Sequence, residues 1–286
     1  MKKLPLFPAG VLKRMTVLGL GVFLLAACGN ARGDREPAGD TAAAGGTPVA
    51  MLSFITLKEY PHDTTAYTEG LLIHDNQLYE STGYTSELPQ TRSLFGVVDT
   101  ITGKIARRVE LDSSRYFGEG ITFLGNKVYQ LTYRTKIGFV YDGKTFRKLG
   151  EFKIPGIEGW GMTADGSSLI LSDSSSTLWY LDPSTFQIKR TLPVTENEAP
   201  VFLLNELEYI KGYIYANVYT KNYIVKIDPS NGHVVAHLDL SSLEAAARNK
   251  YPAFMEMNGI AYDSLTDRVF ITGKMWPSIY AIRIYF

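Results

Sequence analysis

Cysteine is nearly absent from this chain: 286 residues contain one, Cys28. A lone thiol closes no disulfide within the chain and builds no cysteine zinc site. The four histidines, His62, His74, His233 and His237, have no metal-ligand spacing. His233 and His237 stand four apart, but in a segment that reads as strand, where the helical pairing of two ligands does not apply. An excess of one charge is also lacking. Lys and Arg number 29 against 29 Asp and Glu, and setting aside Lys2, Lys3, Lys13 and Arg14 leaves 25 (29 − 4) against 29. A mildly acidic chain offers no basic nucleic-acid face. Nucleophile elbow, phosphate loop and dinucleotide fingerprint are missing as well. Helix-forming sequence is confined to SSLEAAARN, where Ser241 and Glu244 have capping-box spacing.

What the chain has is a repeat. The segments YTEGLLIHDNQLYESTGY from Tyr67, FGEGITFLGNKVYQLTYR from Phe117 and EGWGMTADGSSLILSDSS from Glu158 open alike, as do LNELEYIKGYIYANVYTKN from Leu204 and MNGIAYDSLTDRVFITGKMW from Met257. Aligning Gly70, Gly120, Gly161, Leu207 and Gly259 gives spacings of 50, 41, 46 and 52 residues. Strand-only repeats of this length predict a propeller. Four of them continue into a second strand pair turned at Asp-Gly, Asp-Pro-Ser or Asn-Gly, residues that set or permit the φ values of tight turns. The fifth ends at Phe286 one strand short. The sequence therefore predicts an all-β fold, a five-bladed β-propeller over residues 51–286, with residues 53–61 supplying the missing outer strand and hiding two sheet edges.

The N-terminus reads differently. Its basic residues precede MTVLGLGVFLLAA, a run too short to span a bilayer comfortably and flanked like a signal peptide. Leu25-Ala26-Ala27-Cys28 resembles a bacterial lipobox, the alternative being an ordinary signal peptide with an incidental cysteine. The expectation is a lipoprotein signal peptide at residues 1–27, lipidation of Cys28 and a flexible Gly/Ala/Pro-rich tether through residue 50. That places the protein at the bacterial cell envelope, on the periplasmic side or the outer membrane, and touching the membrane through its lipid alone.

In a propeller the innermost strands line a central channel, so equivalent positions converge. Glu69, Glu119, Trp160, Glu206 and Asn258 form one predicted ring, with Tyr84, Tyr133, Ser174, Tyr219 and Lys274 past the next strand and Tyr67, Phe117 and Asn205 just ahead of it. Carboxylates, an ammonium, an amide and aromatic rings in one concave mouth suit a binding pocket. Each tyrosine or tryptophan, taken singly, also reads as core. Lys274, between Gly273 and the apolar Met275-Trp276-Pro277, needs a partner if it is buried.

The ordered motifs FGEGIT, QLTY, GWGMT, LNELE, AN-x-Y and TGKMWP resemble the plant and bacterial type of glutaminyl-peptide cyclotransferase, across residues 53–286. The resemblance implies a five-bladed propeller that converts N-terminal glutamine of peptides or proteins to pyroglutamate, releases ammonia, and needs neither zinc nor another cofactor. It further implies Glu119 as the acid/base carboxylate and Asn205 and Lys274 as catalytic polar partners. Phe117, Tyr133, Trp160 and Tyr219 would form the aromatic pocket, and Tyr67 and Glu69, which the ring alignment places beside it, are expected to bind the substrate with them. The chain departs from the family where Phe-Thr-Gln-Gly is replaced by Tyr67-Thr68-Glu69-Gly70, and where tryptophans become Tyr133 and Tyr219. Two other classes fit the mouth on residue types: a calcium-dependent propeller lactonase or hydrolase with Glu69, Glu119, Asn205 and Asn258 as oxygen ligands, and a propeller that binds peptides without catalysis.

Overall fold

Strand follows strand along nearly the whole described chain. The computed structural model describes residues 49–285. The expected signal peptide, Cys28 and nearly all of the tether lie outside the described residues. After β1 (Ala50–Pro61) come three four-stranded antiparallel groups, each with its strands in sequential order. The first is β2 (Thr68–His74), β3 (Gln77–Thr82), β4 (Leu94–Val98) and β5 (Ile105–Glu110). The second is β6 (Gly118–Leu124), β7 (Lys127–Thr132), β8 (Ile137–Asp142) and β9 (Lys148–Lys153). The third is β10 (Met162–Ala164), β11 (Leu169–Leu171), β12 (Thr177–Leu181) and β13 (Ile188–Pro193). A short hairpin of β14 (Thr195–Glu196) and β15 (Ala199–Pro200) leads into β16 (Leu204–Ile210), β17 (Tyr213–Val218), β18 (Tyr223–Ile227) and β19 (Val234–Asp239). Helix α1 (Ser241–Lys250) precedes β20 (Met257–Asp263), β21 (Arg268–Gly273) and β22 (Ser278–Tyr285).

The last three strands are completed by the first. β1 runs antiparallel to β22 from Ser53 opposite Tyr285 to Pro61 opposite Ser278, as expected from the short final repeat. Its leading residues do more than the sequence suggested. Ala50–Leu52 pair in parallel with Ala236–Leu238 of β19, so β1 stitches the last two groups into one eight-stranded sheet. The first strands of successive groups lie side by side in the cyclic order β2, β6, β10, β16, β20 and back to β2.

Repeating glycines permit this closeness. A Cβ on Gly120 would lie 2.6 Å from the Met162 nitrogen, and one on Gly161 would lie 2.0 Å from the Asn205 carbonyl oxygen. The core sits between neighbouring groups, as where Leu72, Tyr79 and Phe95 pack on Ile121, Val128 and Phe139, all buried.

Four outer hairpins share one turn design. Asp99, Asp142, Asp182 and Asp228 each accept a backbone N–H from the residue two or three further on, at 2.8–2.9 Å. Each also accepts, at its carbonyl, the N–H four residues on: Gly103, Phe146, Phe186 and Gly232. Those four have positive φ, 76°, 58°, 59° and 83°. The left-handed residue is thus Phe146 rather than Gly143 of the Asp-Gly pair, and a phenylalanine tolerates it because the hydrogen bonds over-determine the turn. Helix α1 differs from expectation at its start. Ser241 lies inside the helix and the cap position is Leu240, so no capping box forms; Asp239 accepts the Ser241 N–H and hydroxyl instead.

Candidate active site

The first strands of the groups bring the predicted ring together. Glu69 stands in β2, Glu119 in β6, Glu206 in β16 and Asn258 in β20, all buried, with Trp160 just ahead of β10. Lys274 follows β21 and is 5% exposed, so its ammonium requires compensation. It hydrogen-bonds Glu69 Oε1 at 2.8 Å, and Glu69 Oε2 accepts the Asn258 amide at 3.0 Å. The ammonium also lies over the rings of Tyr67 (4.6 Å) and Tyr219 (5.4 Å), an attraction that strengthens in a desolvated site.

The aromatic residues form a connected wall. Tyr67 meets Phe117 edge-on at 5.9 Å, Phe117 meets Tyr133 at 5.8 Å, and Trp160 meets Tyr219 at 5.7 Å. Phe117 occupies space that Gly83 leaves free, since a Cβ there would lie 2.1 Å from the ring. These rings are half-buried, lining the mouth rather than filling core.

Three charged groups in one buried place set each other's protonation. Burial pushes Glu69 up, to about 7, against the opposing pull of Lys274. Burial, joined by the Glu69 and Glu158 carboxylates, pushes Glu119 well above the usual carboxylate range, with Lys274 opposing. Burial would lower Lys274, but Glu69, Tyr67 and Glu119 overcome it and hold the ammonium protonated. Lys274 bonds Glu69 directly, so of the two carboxyls Glu69 ionises the more readily and Glu119 holds its proton the more strongly. Among the described residues no donor reaches the Glu119 carboxyl. The Asn205 side chain forms no hydrogen bond among them either, and its Oδ1 is buried.

Behind the site, His62 and Glu80 form a fully buried pair at 3.0 Å. The His62 Nδ1 donates to the Trp276 carbonyl at 2.7 Å, and the Thr68 hydroxyl donates to Glu80 at 2.7 Å. Burial pulls the imidazole down, but the Glu80 carboxylate more than offsets that and raises it. The pair thereby braces the backbone on either side of Glu69 and Lys274. Glu206 plays a different part from its ring neighbours. Its two oxygens accept the N–H groups of Ile260 (2.8 Å) and Leu71 (3.3 Å), tying β16 to β20 and β2.

Sequence reasoning missed two carboxylates. Glu158 accepts the Trp160 indole N–H at 3.1 Å, and Glu256 acts electrostatically on Tyr67, Glu69 and Tyr219. Both precede their ring position by two residues, as Tyr67 and Phe117 do, so the repeat alignment held the signal. Taken together, buried carboxyls beside an ammonium and a half-buried aromatic wall are groups that can move a proton and hold an organic substrate.

Residues 26–284 match the family model for glutamine cyclotransferase. The chain is 39% identical over 228 residues to a glutaminyl-peptide cyclotransferase of Arabidopsis thaliana, spanning 79% of this chain and 69% of that protein. The crystal structure of Myxococcus xanthus glutaminyl cyclase aligns with a TM-score of 0.75 at 30% identity, covering 83% of this chain and 98% of that one. The chain belongs to the glutamine cyclotransferase family.

Proposed function

We propose that this site cyclises the N-terminal glutamine of peptides to pyroglutamate with release of ammonia, using Glu119 as the proton shuttle. The observation that carries the assignment is the unequal treatment of two buried carboxyls: Glu69 is hydrogen-bonded to Lys274 at 2.8 Å, while no donor among the described residues reaches the Glu119 carboxyl, which burial and the Glu69 charge push well above the usual carboxylate range.

In the reaction the substrate α-amine attacks its own γ-amide carbonyl, a C–N bond forms, and the original amide C–N bond breaks. One proton leaves the attacking nitrogen and one arrives at the departing nitrogen. Glu119 gives its proton to the leaving amide nitrogen and takes one from the attacking nitrogen, ending as it began. Such a shuttle contributes on the order of 10²–10⁴ in rate. Lys274, with N–H bonds beyond the one spent on Glu69, and the unengaged amide of Asn205 stabilise the oxyanion; each such donor is worth roughly 2.7–4 kcal/mol of barrier. Tyr67, Phe117, Tyr133, Trp160 and Tyr219 hold the side chain curled, which supplies the orientation an intramolecular attack needs. The same wall keeps out water, whose attack would yield glutamate instead.

The strand groups are read as blades of a five-bladed propeller, a reading supported by the cyclic contact of their first strands and by the fit of β1 beside β22. Against the calcium-dependent alternative, both Glu69 oxygens are already engaged, Oε1 by Lys274 and Oε2 by the Asn258 amide. The envelope location rests on the Leu25–Cys28 motif, a lipid on Cys28 holding the enzyme where exported proteins present new N-termini. Ammonia release from a Gln-initiated dipeptide, before and after exhaustive chelation, tests the activity and its independence of metal together.

A further inference from the structure

Beside the reaction chamber a second hollow, about 390 Å³, lies between α1 and the segment entering β20. Thr220 and Asn222 line one side, Glu244 and Arg248 another, and Phe254 and Glu256 the third. Two of its charged groups are matched. Arg248 pairs with Glu244, and its guanidinium lies 4.6 Å from the centre of the Phe254 ring.

Glu256 is not matched. Its Oε2 is buried and meets no donor among the described residues. A buried acceptor without a donor costs stability, so the Glu256 carboxyl gains from any cation brought into the hollow it lines. The backbone at Glu256 is held in place from behind. The Glu256 carbonyl accepts the Lys274 N–H at 2.9 Å, and the Met255 N–H donates to the Lys274 carbonyl at 2.9 Å. Through this contact Glu256 stands at the boundary of two spaces. On one side is the hollow; on the other are Tyr67, Glu69 and Tyr219, all of which feel its charge.

A peptide with its first residue in the aromatic chamber must carry its second residue out of it, and the hollow is tied to that chamber at two points: Thr220 directly follows Tyr219, and Glu256 is bonded through its backbone to Lys274. We propose that this hollow is the subsite for the second residue of the substrate, and that Glu256 selects a cationic side chain there. The inference rests on the cyclotransferase reading. The Glu244–Arg248 pair is internally neutralised, so the unmatched charge facing the hollow is that of Glu256.

The test compares kcat/KM for Gln-Lys, Gln-Ala and Gln-Glu peptides of equal length. The wild-type enzyme is expected to prefer Gln-Lys over Gln-Glu by about fivefold or more, a preference that shrinks with added salt, as for a partly screened charge pair. Glu256→Gln is expected to bring the ratio near one, and Asn222→Lys, which places a cation in the same hollow, to invert it. Turnover of Gln-Ala with a Lys/Glu ratio already near one in the wild type overturns the subsite while leaving the cyclase reading standing. An unchanged ratio in both folded variants overturns it too. No turnover of any Gln peptide overturns the cyclase reading and the subsite with it.

Discussion

Lys274 Nζ and Glu69 Oε1 stand 2.8 Å apart, with their side chains 6% and 3% exposed. They reach that contact from strand groups at opposite ends of the chain, β2 and the turn after β21. Closing the ring of strands therefore also assembles the charge pair. The pair engages one of the two neighbouring carboxyls, Glu69, and no donor among the described residues reaches the other, Glu119.

Glu119→Gln removes the proposed proton carrier without changing side-chain shape. Turnover is expected to fall by about 10²-fold or more. Steady-state kinetics on a Gln-initiated peptide, with circular dichroism to establish that the variant folds, checks this. Retained turnover would move the shuttle elsewhere.

Glu69→Gln leaves Lys274 facing a neutral amide. Lys274 also feels the Glu119 carboxyl, whose proton is held partly by Glu69's charge. Removing that charge is expected to lower the Glu119 pKa, so the pH–rate profile shifts to lower pH while the protein stays folded. Lys274→Met has the harsher result, since breaking a buried pair from one side costs roughly 3–5 kcal/mol. Thermal melts and pH–rate profiles of both variants separate the two effects.

Stability should decline as pH rises from about 4.5. Glu69, Glu119 and Glu206 all have raised native pKa values, Glu69 at about 7, so the native state binds more protons than the unfolded chain across this window. Where the native state holds the extra protons, raising pH favours unfolding. His62, also raised, acts in the same direction above its ordinary pKa of 6.5. Melting temperature is therefore expected to be higher at pH 5 than at pH 8. Glu206→Gln is expected to flatten the slope.

Deleting residues 1–61 removes β1, exposes the edge of β22 and separates it from β19. Deleting residues 1–48 leaves all of these pairings intact. The longer truncation is expected to melt lower by several degrees or to aggregate, an exposed sheet edge being a template for association. Equal melting temperatures would contradict this role for β1. In the full chain, Cys28→Ser is expected to move the protein from the detergent phase to the aqueous phase with its melting behaviour unchanged.

Much of this was legible in the sequence because the repeat carries period and turn chemistry together. Gly70, Gly120 and Gly161 marked the strand crowding, and the short final repeat pointed to β1. Several features stayed hidden for a physical reason. The Glu69–Lys274 contact joins residues 205 apart, and nothing local in Tyr67-Thr68-Glu69-Gly70 announces a counter-ion. The His62–Glu80 brace is likewise made by burial and ring closure, not by any local motif. The Ser241 capping-box spacing misled because Asp239, two residues earlier, captured the same N–H first.

The proposed reaction is an intramolecular attack in a dry aromatic pocket, with Glu119 as shuttle. It is tested most directly by running the reaction on a Gln-initiated peptide in heavy-oxygen water and weighing the product. The account predicts pyroglutamyl peptide, one ammonia released per peptide, and no heavy oxygen incorporated. Glutamyl peptide carrying heavy oxygen, or no ammonia at all, would contradict it.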